Sequence, residues 1–407
     1  MNTSASAGLA PSPFAAIGWA FYVAVSWTWV IGMFLPVLLV RDFGLLGWAA
    51  FAVPNIVGAA SVGWLMKSPR QSAEFVLRHR PAVTAFSAIT ISFQITIYFW
   101  LLGSLFPVFT DAWQIFIPTA IVLLLSGPLG TLLPVKFGRE RIIAAAVWLA
   151  SAAALIALLI FGWLERPAVE AVEPLNLGGL ALSCGLGFLL CPYLDVTFHA
   201  ARQAAGDRSR LAFAVGFFVL FPVMIGFTLL YAIGLPGLMR GQFDDRVNGL
   251  ATLLLMIHLT LQVLATNYFH ATALRRLDAA TGRQANVLAS GGFWLAALIV
   301  WAFVGWLMSR QVFVYNDLLP YSGGEMLYRG FLTFYGLIFP AYLLLGRRWM
   351  WLGVIATAPL FALGFFGGPY EWSMGWAGLG VIALLAIWFV TKPTRQPQAP
   401  LPPNDGR

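Results

Sequence analysis

The residue in this sequence best placed to do chemistry is a carboxylate inside a long apolar stretch. Asp195 comes three positions after Pro192 and four before His199, and it is the one acid well inside an apolar segment. A charged carboxylate in hydrocarbon costs about 2.5–3.5 kcal/mol, so it must be paired, protonated or close to water. On a continuous helix Asp195 and His199 share one face. The spacing favours a local pair, and a proton or cation relay is the alternative.

The segment around Asp195 also contains residues that weaken a helix. Gly185, Gly187 and Pro192 precede the acid. Broken backbone inside a membrane is tolerated where it lines a cavity or is buried in protein. We therefore expect an interruption around residues 184–192. Cys184 and Cys191 lie in the same segment and are expected to be free thiols, because two cysteines are too few ligands for a structural metal.

A second segment breaks its own apolar pattern near the N-terminus. Ser26, Trp27, Thr28 and Trp29 are followed by Pro36. Proline removes a backbone donor and crowds the preceding turn. The pattern predicts an interruption around residues 24–32, and the alternative is an ordinary proline kink whose indoles face lipid or a neighbouring helix.

The elements that must position these residues are about twelve apolar segments, each near the roughly 20 residues needed to cross a bilayer. The chain is 60% hydrophobic and 10% charged, with a mean hydropathy of +0.82. Soluble domains carry far more charge, so the sequence predicts an all-α polytopic membrane protein. The predicted spans are 13–40, 44–66, 81–109, 113–135, 141–164, 176–199, 211–239, 248–274, 286–308, 325–346, 348–367 and 371–391.

The charges orient these spans. Lys and Arg accumulate in short cytoplasmic loops, and most of the 24 basic residues fall in alternate breaks that include both termini. We expect both termini in the cytoplasm and the protein in the cytoplasmic (inner) membrane of a bacterium, with no cleaved signal peptide. The net charge of +8 follows from the same rule and from attraction to anionic lipid, which leaves no support for a nucleic-acid partner. The basic residues expected on the outer side are Arg41, Arg166, Arg240, Arg246, Arg310 and Arg329.

The two interrupted segments are the first and the sixth predicted spans. These positions are the first helices of two five-helix halves, where transporters with inverted repeats keep unwound, substrate-binding segments. Opposed half-helix ends present free N–H and C=O groups that can bind a polar solute or a bare cation.

The residues of these segments resemble a known family. The run Cys184–Phe188 followed by Pro192 resembles the Gly-x-Gly-aromatic…Pro stretch of the sodium/solute symporter family, in particular its sodium/proline members. Trp27-Thr28-Trp29 is similar to the Trp-Thr-Trp of the urea-type members. The family's first core hairpin is resembled by Gly44–Gly47 together with Pro54-Asn55.

The resemblance implies a LeuT-type fold, a five-plus-five inverted repeat with two accessory C-terminal helices. Family members usually have an extra helix before the core, whereas this core would begin at the first span. The implied organisation is a cytoplasmic tail at 1–12, a ten-helix transporter core at 13–346, two accessory transmembrane helices at 347–391 and a disordered cytoplasmic tail at 392–407.

The eighth span bears on the coupling ion. The family carries a Ser-Thr-x-Asp-Ser type stretch there, whose hydroxyls bind sodium together with carbonyls of the unwound first helix. The aligned residues here are Ala265-Thr266-Asn267-Tyr268, so only Thr266 matches. The resemblance implies Thr266 and carbonyls near Val23 and Ser26 as sodium ligands, with Gln262 and Asn267 as compensating oxygens. Either amide is equally expected to hydrogen-bond across helices, and proton coupling through Asp195 is the alternative to sodium.

The function implied is secondary active symport of a small neutral or zwitterionic organic solute, with Na⁺ as the candidate coupling ion and no other cofactor. The alternative is a non-transporting membrane sensor or structural subunit on the same scaffold. An enzyme is not expected, because it would need convergent acids and histidines, and the four histidines are spread over two spans and a loop. The expected partners are the solute and the lipid bilayer. The pocket is expected to use Trp27, Trp29, Cys184, Phe188, Pro192 and Tyr193.

Overall fold

The computed structural model describes residues 13–28, 30–105, 138–160, 173–232, 249–281, 299–307, 323–367 and 373–391. Within these ranges the regular structure is helical, and eight helical stretches are long and apolar enough to cross a membrane. The helices are α1 Pro13–Trp27, α2 Val30–Leu65, α3 Pro69–Arg78, α4 Arg80–Leu105, α5 Arg139–Ile160, α6 Pro174–Leu190, α7 Val196–Ala205, α8 Ser209–Val215, α9 Phe221–Gly226, α10 Thr228–Tyr231, α11 Gly249–Thr281, α12 (299–307), α13 Gly323–Thr333, α14 Phe339–Phe366 and α15 Met374–Thr391.

The first predicted span is discontinuous, as its sequence predicts. Helix α1 ends at Trp27, Thr28 is not helical, and α2 begins at Val30. Thr28 caps the C-terminal end of α1. Its backbone N–H and its hydroxyl both donate to the carbonyl oxygen of Ala24, at 3.0 and 2.7 Å. Pro36 lies inside α2 and does not end it.

The sixth span is also discontinuous, but the break lies later than predicted. Helix α6 continues through Gly185 and Gly187 to Leu190, a 3₁₀ turn covers Cys191–Leu194, and Asp195 is extended with φ −77° and ψ 112°. Neither glycine unwinds the helix, and Gly187 allows close packing, since a Cβ there would lie 2.8 Å from the carbonyl oxygen of Tyr335. The predicted interruption at 184–192 is corrected to 191–195.

The chain after this break also differs from prediction. The span was expected to end at residue 199, whereas α7 continues to Ala205 before the next span begins at Ser209. That next span is helical through Tyr231, with a π-helical turn at Gly216–Leu220.

Two glycines separate adjacent spans where the sequence places a boundary. Gly44 has φ 59° and Gly346 has φ 68°, a left-handed conformation in which only glycine avoids a steric penalty. Gly44 breaks α2 between the first and second predicted spans, and Gly346 breaks α14 between the tenth and eleventh.

One helix was missed in a predicted cytoplasmic loop. Helix α3 begins after Ser68, whose hydroxyl accepts a hydrogen bond from the Gln71 N–H, and Pro69 occupies its first turn. It buries Ser72 and Val76 and packs against α7. An N-cap serine followed by proline is an ordinary helix start, and the signal was present in the sequence.

The predicted spans at α4, α5 and α15 agree with the structure to within a few residues, whereas α11 continues to Thr281, past the predicted end at residue 274. Span 113–135 and most of span 286–308 lie outside the described residues. Large apolar side chains are exposed along the outside of the helices, for example Ile160 at 74% and Val390 at 86%. Such exposure is costly in water and ordinary in lipid, so the chain is an all-α polytopic integral membrane protein.

Candidate functional site

The break in the first span is held by Trp27. Its indole N–H donates to Oδ1 of Asn55 at 2.6 Å, which ties α1 to α2. The ring lies 5.0 Å from the Phe198 ring of α7 and is stacked on Phe86 of α4 at 6.4 Å. This tryptophan therefore joins the two interrupted spans through packing. Trp29, its predicted companion in the pocket, lies outside the described residues.

The break in the sixth span is organised by Asp195, which caps α7. Its Oδ1 accepts hydrogen bonds from the backbone N–H of Thr197 at 2.7 Å and from the hydroxyl of the same residue at 2.6 Å. A carboxylate at a helix N-terminus also faces the positive end of the helix dipole. The second oxygen, Oδ2, lies 3.8 Å from Nε2 of His270 on α11, and both side chains are 0% exposed.

The predicted Asp195–His199 pair is wrong. Nδ1 of His199 is 2.8 Å from the Ser72 hydroxyl of α3, and Nε2 is 2.9 Å from the carbonyl oxygen of Tyr193. Asp195 is extended, so the shared face expected for a continuous helix does not exist at this position. His199 instead fixes α7 to α3.

The partner of Asp195 belongs to a buried polar stripe, of which the sequence prediction included only Gln262 and Thr266. On α11, polar residues recur every fourth position, and each of these side chains is 0% exposed. The first is His258 and the last is His270, whose Nδ1 lies 3.1 Å from the Ser87 hydroxyl of α4. The members of this stripe are His258, Gln262, Thr266 and His270. A four-residue spacing of polar groups in an apolar span is the signal that could have identified His270.

The predicted sodium site is only partly assembled. The Thr266 hydroxyl lies 3.5 Å from the carbonyl oxygen of Val25, a long separation for a hydrogen bond. The Val23 carbonyl accepts the Ser26 hydroxyl at 3.2 Å, and Ala265 adds no side-chain oxygen. A bare cation must replace its hydration shell with oxygen ligands. One hydroxyl and one carbonyl are too few oxygen ligands to do so.

Gln262, one of the two amides expected to supplement that site, is held through its nitrogen, while its Oε1 has no hydrogen-bond partner among the described residues. Gln262 donates to the hydroxyl of Ser151 on α5 at 2.9 Å. It therefore hydrogen-bonds across two helices, the structural alternative weighed for it from the sequence.

The predicted solute residues do not share one pocket. Cys184 and Phe188 line a narrow cavity of about 30 Å³ between α2, α6 and the tenth span, together with Tyr335, and its lining includes neither Trp27 nor Tyr193. Pro192 is buried in the 3₁₀ turn. Tyr193 is half-buried, with its hydroxyl 2.8 Å from that of Ser61. In the described conformation the cavity beside Cys184 and Phe188 is therefore too narrow to hold a solute together with the other predicted residues.

Ion pairs tie helix ends together at the end of the bundle that carries α3. Arg276 of α11 pairs with the buried Glu140 of α5, and Arg80 of α4 pairs with Asp278 at 2.6 Å. These pairs join α11 to two different helices at one end, which is the side predicted to be cytoplasmic.

Two side chains, one on α3 and one at its C-terminal end, have pKa values shifted from their ordinary values. Partial burial and the nearby charge of Arg78 lower the pKa of His79, whose Nδ1 lies 2.9 Å from the Tyr342 hydroxyl. The hydrogen bond with Glu74 raises the pKa of the exposed Arg70.

One basic residue is misplaced by the sequence analysis. Arg329 was expected on the outer side between spans, but it lies inside α13 and is 0% exposed. Its guanidinium donates to the carbonyl oxygen of Phe365 at 2.7 Å. The buried arginine therefore ties the tenth span to the end of α14.

Comparison with known proteins gives a structural likeness. No protein-family model and no curated protein matches the sequence. Among solved structures, the chain is similar to a Na⁺-coupled sialic acid symporter in a substrate-bound outward-open state, with a TM-score of 0.51 and 12% identity over 94% of this chain and 91% of that one. At this identity the likeness concerns the fold. The chain is thus a polytopic membrane protein with the fold of a Na⁺-coupled symporter.

Proposed function

We propose that the protein is a secondary transporter of a small neutral or zwitterionic organic solute, driven by the inflow of a cation. The observation that carries this proposal is the pair of interruptions at Thr28 and at 191–195, joined by the contact between Trp27 and Phe198. Paired half-helix ends of this kind offer backbone donors and acceptors to a solute. The symporter-like fold supports the same proposal.

The surroundings of the breaks support a solute without strong net charge. The described residues beside them are mainly aromatic, and the described Arg80 and Arg276 lie at the α3 end of the bundle. Aromatic walls with a few oriented polar groups suit a compact neutral or zwitterionic molecule. A strongly anionic solute would call for a basic group at the breaks.

A non-transporting sensor is the second candidate function. Two observations favour a sensor. Few oxygen ligands are assembled at Thr266 and Val25, and the cavity beside Phe188 is narrow. A sensor would bind a solute without moving it, so binding and transport must be measured separately.

Thermal unfolding of the purified protein with panels of amino acids, betaines and amides tests for a ligand. A solute that binds the native state raises the unfolding temperature in a concentration-dependent way. Phe188→Ala should then weaken binding by about 1–3 kcal/mol, as should Trp29→Ala if that ring walls the pocket. Leu189→Ala is the matched control, because this neighbour is 42% exposed. Equal affinity in wild type and both aromatic variants would place the site elsewhere.

We further infer residence in the bacterial inner membrane with both termini in the cytoplasm. The ion pairs of Arg80 and Arg276 lie at the end that the charge distribution assigns to the cytoplasm. A single cysteine introduced at Arg70, in a variant lacking the two native cysteines, should resist a membrane-impermeant maleimide in intact cells and react after lysis. Labelling in intact cells would reverse the orientation.

A further inference from the structure

We propose that Asp195 and His270 together bind the proton whose inflow drives transport. This inference rests on the proposed function and deepens it by naming the coupling ion and its carrier. It assigns to His270 a role that the sequence analysis did not consider.

The geometry of the pair places two proton-binding atoms opposite each other. Oδ2 of Asp195 and Nε2 of His270 face each other at 3.8 Å, and neither atom has a hydrogen-bond partner among the described residues. The other atom of each group is engaged, Oδ1 by Thr197 and Nδ1 by Ser87. Each side chain is therefore held by one atom and aims the other at its partner.

The described groups around Asp195 and His270 are uncharged, so they do not neutralise a charge on the pair. Besides each other, the described titratable groups that interact with Asp195 are Tyr22 of α1 and Tyr335 of the tenth span, and tyrosine is uncharged at neutral pH. Helix α4 presents the hydroxyls of Ser87 and Thr90. Among the described residues no Lys or Arg pairs with the carboxylate.

Charge balance then requires one proton on the closed pair. With that proton bound, the pair is either a carboxylic acid beside a neutral imidazole or a carboxylate beside an imidazolium, and both forms are neutral overall. Without it, a carboxylate is left in a site that is 0% exposed, which burial strongly disfavours. The proton can leave to water only when one side of the site opens, and this is the condition for coupling.

The position of the pair connects protonation to the moving parts. Asp195 is the hinge residue of the sixth span and the N-cap of α7, while His270 is on the continuous helix α11. A change of charge at Asp195 therefore alters the contact between a half-helix and the scaffold. By contrast, the predicted sodium site brings together only one hydroxyl and one carbonyl, those of Thr266 and Val25, among the described residues.

Infrared difference spectroscopy tests the proton site without any solute. Protein in nanodiscs is stepped through pH in sodium-free buffer, and carboxyl and imidazole bands are compared among variants. Asp195→Asn retains a side-chain oxygen that can cap α7, and His270→Gln is the second variant. Among the carboxyl titrations of wild type, we expect one that vanishes in Asp195→Asn and shifts in His270→Gln, whereas His258→Asn, at a buried histidine of the same helix, leaves that titration unchanged. Superimposable carboxyl spectra of wild type and Asp195→Asn overturn the inference.

Transport separates this inference from the proposed function. In proteoliposomes, a solute found by thermal unfolding should accumulate at least tenfold more under an inward proton gradient than without one. Asp195→Asn should lose that accumulation while keeping solute exchange. If sodium alone drives accumulation, and Asp195→Asn and His270→Gln do not change it, the proton assignment is overturned and the proposed transport function stands. No movement of any solute, with the infrared titration intact, overturns the transporter and leaves the proton site.

Discussion

Gly58 of α2 packs closely against the backbone of α6, just before the sixth-span break. A Cβ at this position would lie 1.9 Å from the carbonyl oxygen of Phe188, 2.7 Å from its carbonyl carbon and 2.8 Å from Cα of Leu189. All three are backbone atoms and cannot rotate away. Ordinary C···O contacts begin near 3.3 Å, so Gly58→Ala forces α2 and α6 apart by about 1.4 Å.

The expected cost of Gly58→Ala is at the upper end of the range for overpacking, about 3 kcal/mol. The matched control is Gly185→Ala on the facing helix, where a Cβ meets no atom within 4 Å. That change should be neutral or stabilise the helix by up to about 1 kcal/mol, since alanine loses less backbone entropy than glycine. Both variants replace one glycine by alanine within the same helix pair, so they differ mainly in the contact.

Thermal unfolding in detergent, followed by tryptophan fluorescence, measures the difference. We expect a clearly lowered unfolding temperature for Gly58→Ala and none for Gly185→Ala, together with loss of solute binding in Gly58→Ala because Phe188 is displaced. Equal unfolding temperatures in the two variants would refute the close approach of α2 and α6.

Three further changes test separate contacts. Asn55→Ala leaves the buried indole N–H of Trp27 without its acceptor and should cost about 1–3 kcal/mol in unfolding free energy, a loss that should shrink in a Trp27→Phe background. Ser72→Ala removes the hydroxyl that holds His199, so it should speed amide hydrogen exchange in α7 and lower the unfolding free energy by about 1 kcal/mol. Unchanged exchange would argue against the contact between Ser72 and His199. Because burial lowers the pKa of His79 below its usual value of about 6.5, the unfolded chain binds more protons there, so stability is complete above that pH and declines as pH falls toward the folded-state pKa. The decline should flatten in His79→Gln, as read by unfolding temperature between mildly acidic and neutral pH.

Much of the architecture follows from local sequence signals. Runs of apolar residues set the spans, Gly44 and Gly346 mark turns that need a left-handed residue, and the polar run before Pro36 marks the first break. Each of these features depends on neighbours in the chain, so the sequence alone is enough to place it.

The details of the site depend on contacts that local patterns do not contain. Gly187 is helical and lies close to the Tyr335 backbone, a packing contact that its local sequence does not reveal. His270 is distant from Asp195 in sequence, and helix packing alone brings them together. The i, i+4 argument for His199 failed because it assumed a helix where the chain is extended.

Concentrative uptake is the most direct test of the central claim that the two interrupted spans form a driven transport site. Proteoliposomes are loaded with low-sodium buffer, placed under an inward cation gradient and given a solute that stabilises the purified protein. We expect the internal solute concentration to exceed the external one and to collapse to equality when an ionophore dissipates the gradient. A solute that stabilises the protein yet enters these vesicles no faster than protein-free ones would contradict the account and identify a sensor.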